Sequence, residues 1–197
     1  MELLSINTPI KEKENQPNTA VENTNNSFIK ANSQAIGMGS LNRDCIVPVF
    51  AKDNEITISH SQFIEVGLEA LKTATGLHTL APQIRVSHEI KGRTPDALTI
   101  PAKELKNSQK TLFYERMAWT VTIPEITTEI DGNQICLSIG GVRAYNRENL
   151  NSKKTYEKFK FFVGFQNMVC LNLCISSDGT ALELKSDSLL DLKTKLV

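Results

Sequence analysis

Leu112–Ile139, LFYERMAWTVTIPEITTEIDGNQICLSI, is the stretch that decides the fold class. Leu112 to Ile123 is rich in aromatic and β-branched residues and predicts a long strand. Ile126–Ile130 and Gln134–Ile139 predict two more. Asp131-Gly132-Asn133 between them is a hairpin signal, because Gly tolerates positive φ and Asn and Asp tolerate it best among the others. Strands joined by so short a turn pair antiparallel.

Toward the N-terminus, Gln83–Lys91 alternates. Ile84, Val86, His88 and Ile90 share one face, and Arg85, Ser87, Glu89 and Lys91 the other, which predicts a half-buried strand. Ser59 followed by Gln62 makes a capping box that opens a helix running to about Thr75. Phe63, Gly67 and Leu71 stack on its apolar face, as do Ile64 and Leu68, and Gly76 supplies the stop. Glu55–Ser59 predicts a short strand, and Cys45–Phe50 an edge strand, since Pro48 cannot donate to a ladder. Gly92–Pro101 is a loop, and Ala102–Lys110 a short polar helix. Toward the C-terminus, Lys158–Phe165, Met168–Ile175 and Ala181–Leu184 predict strands, with a turn at Ser177-Asp178-Gly179. Ser186–Val197 predicts a short, capped, Leu-rich helix. The sum is an α+β fold: an antiparallel, meander-rich sheet with one main helix and a short C-terminal helix.

The 197 residues suit one domain with a tail. Residues 1–39 are polar and Asn-rich and predict a disordered tail; residues 40–197 predict a single α+β domain. Lys plus Arg and Asp plus Glu are 22 each, so global charge favours no partner and any steering needs a local patch. The N-terminus lacks the basic n-region and apolar core of a secretory signal, and no apolar run approaches a membrane span. The expected location is the cytoplasm, with no membrane association. Cys45, Cys136, Cys170 and Cys174 lack a CxxC pair and are expected to be reduced thiols; no metal site and no cofactor is expected.

No chemistry-bearing motif stands out. There is no Gly-x-Ser-x-Gly elbow, no Walker loop and no GxGxxG. His88 sits on the apolar side of its strand and is expected to be a core histidine. An enzyme using His88 with Cys136 or Cys170 is one reading, but no base and orienter can be paired from spacing, so a non-catalytic protein is favoured. The best signal is Gly140–Cys170. It holds six basic residues, Arg143, Arg147, Lys153, Lys154, Lys158 and Lys160, against Glu148 and Glu157, a local charge of +4, with Tyr145 and Tyr156 interleaved. Lys158 and Lys160 share a strand face opposite Phe159 and Phe161. Cations on a sheet face neutralise phosphates and aromatics stack on bases. The expected nucleic-acid-binding set is Arg143, Tyr145, Lys153, Lys154, Lys158 and Lys160, supported by Arg85 and Arg93. The same lysines also serve simply to keep an amphipathic strand soluble.

The blocks NRDCIVPVFAKDNEITISH, PQIRVSHEIKGRTPDA, LFYERMAW and IGGVRAYNRENLNSKKTYEKFKFFVGFQNMVCLNLC resemble domain-of-unknown-function family 3871 of Bacteroidetes genomes, over roughly Leu41 to Leu184. Cys170-Leu171-Asn172 is also similar to a short Cys-x-Asn block of a broader phage and plasmid family. The first resemblance implies a conjugative or other mobile-element context and no known reaction or catalytic residue. Longer members continue past the equivalent of Gly179 into helical sequence, so a truncated or minimal version is expected here. Two functions follow as expectations. One is a nucleic-acid-associated binding protein that holds DNA or RNA backbone. The other is a protein-interaction or accessory module acting through the N-terminal tail and the C-terminal helix.

Overall fold

The computed structural model describes residues 28, 32–45, 57–97, 99–147, 156–167, 173–174 and 180–197. Its elements run β1 (Gln34–Ala35), α1 (Met38–Asp44), α2 (His60–Thr75), β2 (Gln83–Val86), β3 (Glu89–Arg93), β4 (Lys110–Tyr114), β5 (Arg116–Ile130), β6 (Asn133–Ala144), β7 (Glu157–Asn167), β8 (Leu173–Cys174), β9 (Thr180–Ser186) and α3 (Leu189–Leu196). The main sheet has the order β1-β2-β5-β6-β7, with β8 and β9 both paired to the far side of β7; β3 and β4 form a separate ribbon. Every pairing is antiparallel, and the fold is α+β.

Helix α2 starts and stops where the sequence says. The Ser59 hydroxyl accepts from Gln62 N–H and the Gln62 side chain accepts from Ser59 N–H, so two otherwise orphaned donors are satisfied. Gly76 ends it in the left-handed conformation at φ 65°. Phe63 stands at the centre of the core, with its ring against Trp119, Phe159 and Phe161. The helix lies close on the sheet because small residues meet large rings. A Cβ on Gly67 would stand 2.6 Å from Trp119, and one on Gly141 2.6 Å from Phe63. Gly140-Gly141 is therefore the interior of β6, where the helix and Trp119 approach.

The Asp131-Gly132 turn has φ of 50° and 75°, the paired positive values of a type I′ turn, and joins Ile130 to Asn133. The segments 112–123 and 126–130 are redrawn. Glu115 separates β4 from β5, and β5 then continues through Pro124 as one strand. Its register slips between Ile123↔Leu137 and Thr127↔Cys136, so the ladder is interrupted where Pro124 has no N–H to give.

Gln83–Lys91 is likewise two strands in different sheets. Ser87 stops the first: its N–H donates to the Arg116 carbonyl, and its hydroxyl accepts from Arg116 N–H. His88 then lies exposed, so it is not a core histidine. Of the expected strand Glu55–Ser59, residues 55–56 lie outside the described residues and 57–59 belong to no strand; 102–110 holds turns and a short 3-10 turn at Asn107–Gln109 in place of a helix. At the N-terminus, β1 pairs with β2 and α1 begins at Met38, with Leu41 packed into the core. The expected strand over Cys45–Phe50 lies outside the described residues beyond Cys45, as does most of Met168–Ile175. Ser188 caps α3 by accepting from Asp191 N–H, and Leu192 buries fully against the core.

Candidate functional site

The sheet has two faces. One packs under α2 through Trp119, Val121, Phe159 and Phe161. The other carries a row that runs partner to partner across five strands: Arg85, Ala118, Val142, Lys160, Glu183. Two residues along, on the same face, lie Arg116 beside Ala144 and Lys158 beside Lys185. Side chains of these two rows thus form an array of five cations with Glu183 the acid among them, over a floor of Ala118, Ala144 and Val142. Neighbouring strands are about 4.8 Å apart, so Arg85 and Lys160 are separated by about 14 Å, and Lys158 and Lys160 by about 7 Å. Arg116, Lys158, Lys160 and Lys185 are exposed. Lys160 comes within 3.9 Å of Glu183 and Arg116 within 4.0 Å of Glu115, both weak, solvated contacts. Arg85 is half-buried and donates to the Ser33 hydroxyl and carbonyl, which fixes it at the β1 edge.

Of the expected set, Lys158, Lys160 and Arg85 come together on this face. Arg93 does not: it belongs to the β3–β4 ribbon and donates to the Ile100 carbonyl. Lys153 and Lys154 lie outside the described residues. Arg143 and Tyr145 do not join this face, because both are buried. Arg143 has the strand parity of Ile139 and Gly141, which points it under α2, away from Lys160. Arg116 and Lys185, outside the expected set, join the array; two-residue alternation along β5 and β9 is the signal that places them.

Arg143 organises the second cluster. Its guanidinium donates to Glu157 and to the Ile58 carbonyl, and lies over the rings of Tyr145 and Phe159 at 4.4 and 4.6 Å. Glu157 also accepts Ile58 N–H, while the Tyr145 hydroxyl donates to the Ile58 carbonyl at 3.3 Å. His60 stacks on Tyr145 at 4.4 Å, and its Nε2 lies 2.7 Å from the Tyr114 carbonyl, so Nε2 carries the proton. Its Nδ1 has no partner among the described residues. Burial, then the charge of Arg143, push the imidazole pKa down to about 3. The cluster ties the entry of α2 to β6 and β7. Its members are buried, and together they clamp Ile58.

The structure does not bring His88 and Cys136 together, and Cys170 lies outside the described residues. His88 lies beside the start of β5, whereas Cys136 pairs with Thr127 past its bulge. Burial pushes the thiols of Cys45 and Cys136 up, away from the nucleophilic thiolate. Among the described residues no group of three or more His, Cys, Asp or Glu could hold a metal ion, and no helix is long and apolar enough to cross a membrane.

A family model described as "Domain of unknown function, B. Theta Gene description (DUF3871)" matches residues 11–197. The chain belongs to this family. No curated protein and no solved structure matches it. The family description names no activity, so the function rests on the geometry of the sheet.

Proposed function

We propose that this family member is a non-catalytic, nucleic-acid-associated binding protein that holds DNA or RNA backbone on the outer face of its sheet. The observation that carries this reading is the array of Arg85, Arg116, Lys158, Lys160 and Lys185 on one side of five neighbouring strands. Its floor is small and aliphatic, which suits contact with phosphates more than base readout. Exposed Tyr156, two residues before Lys158, is the one described aromatic placed to stack on a base. The setting proposed is the cytoplasm of a Bacteroidetes cell and a conjugative or other mobile element, a context supported by the sequence resemblance. The test is fluorescence anisotropy with labelled single- and double-stranded oligonucleotides over a salt series. Binding that weakens steeply with salt and is lost in Lys158→Glu/Lys160→Glu supports the reading; binding unchanged by that double reversal refutes it.

A protein-interaction role is the second reading, favoured by Leu190, 75% exposed on α3. It is tested by partner capture with Leu190→Glu, which keeps the helix and removes the apolar contact.

A further inference from the structure

Among the described residues β9 ends the sheet along its stretch of β7, and the side it turns away from β7 can be identified from the ladder. Tyr145 N–H donates to the Glu115 carbonyl, which turns the odd residues of β6 toward β5 and the even ones toward β7. The register then turns the even residues of β9 toward β7. The backbone groups of Ala181, Glu183 and Lys185 face outward, and no strand among the described residues pairs with them. Among the described residues the Lys185 carbonyl accepts from the ammonium of the exposed Lys195 side chain, at 2.7 Å.

We propose that a second copy of this chain fills this edge, with β9 pairing antiparallel to β9 of the other copy about a two-fold axis at Leu184. That register sets Glu183 opposite Lys185 of the second copy, and Lys185 opposite its Glu183, both as hydrogen-bonded pairs made by the outward backbone groups. Charge selects it: a shift of two residues either way sets Glu183 against Glu183 or Lys185 against Lys185. Leu184 meets Leu184 on the α2 side. On the same strand Leu182 is 57% exposed, and α3 packs beside β9. Paired this way, the two outer faces lie on one side of a continuous sheet and the cations of both copies adjoin. The assembly itself does not depend on nucleic-acid binding.

The test is sedimentation equilibrium of the full chain without nucleic acid, over a concentration series. The wild type is expected to dimerise. Lys185→Glu turns both cross-seam pairs into like charges and is expected to raise the dimer Kd by roughly tenfold or more. Glu183→Lys with Lys185→Glu restores opposite charges and is expected to restore the dimer. Glu183→Pro removes one outward N–H without touching the ladder to β7 and is expected to weaken the dimer. Circular dichroism confirms that each variant is folded. A wild type that stays monomeric at every concentration overturns the proposal, as does a dimer indifferent to the single reversal.

Discussion

Arg143 and Glu157 form an ion pair whose side chains are 0% and 1% exposed, and the pair grips Ile58 from both sides: the carboxylate takes its N–H and the guanidinium its carbonyl. Removing one member strips the other, still charged and buried, of its closest opposite charge. Arg143→Met is therefore expected to cost roughly 3–5 kcal/mol, the usual range for breaking such a pair. Arg143→Met with Glu157→Met is expected to cost less than either single change, because neither buried charge remains. Urea unfolding checks both. A wild-type midpoint in Arg143→Met would remove the clamp from the account of stability.

His60 makes folding acid-sensitive. Its pKa falls from 6.5 to about 3 on folding, through burial first and the nearby Arg143 charge second. A lowered imidazole pKa means that the unfolded chain binds the proton more tightly. The contribution is complete above pH 6.5 and is lost as pH falls toward 3, at up to ~1.4 kcal/mol per pH unit. His60→Gln keeps a donor for the Tyr114 carbonyl and removes the titration. Its unfolding free energy is expected to fall less steeply between pH 6 and pH 4 than that of the wild type; parallel slopes would show that His60 is not the group responsible.

The outer face makes a graded prediction about salt. Each phosphate contact contributes about 0.9 to the slope of log K against log salt on duplex DNA. Arg116→Ala with Lys185→Ala is expected to reduce the slope by roughly 2 while leaving sequence preference unchanged. Arg93→Ala, on the separate ribbon, is expected to leave the slope alone. Equal effects from the two variants would mean that binding follows overall charge and not this face.

Packing at Gly141 predicts a cost without any change of polarity. A Cβ there meets Phe63 at 2.6 Å, the Trp119 indole nitrogen at 2.9 Å and the Lys160 carbonyl at 3.0 Å. The last is backbone within the ladder and has little room to move. Gly141→Ala is expected to destabilise by about 1–3 kcal/mol, as overpacking does. Thermal melting compared with Gly39→Ala, whose Cβ meets nothing within 4 Å, isolates this effect.

Local signals were legible where local physics decides them. The box at Ser59 and Gln62, the stop at Gly76 and the Asp131-Gly132 turn each depend on residues a few positions apart. Strand breaks at Ser87 and Glu115 were not legible, because the bonds that end β2 run between Ser87 and Arg116, 29 positions away. Within the site, Lys158 and Lys160 were placed on the correct side by alternation, opposite buried Phe159 and Phe161. Arg143 follows the parity of Ile139 and Gly141 and lies on the buried side, which its charge alone does not signal.

What the sequence by itself determined was the set of elements and which side of each strand is apolar, since periods of 3.6 and 2 follow from backbone geometry alone. Only the tertiary structure decided which strands are neighbours, and with that which charges stand together. Arg85 and Lys160 share a row because β2, β5, β6 and β7 pair in that order, through contacts distant in sequence. Arg143 is held inside because the Glu157 carboxylate, the Ile58 peptide group and the Phe159 ring, all distant in sequence, converge on it beside the neighbouring Tyr145 ring, and no spacing along the chain encodes that meeting.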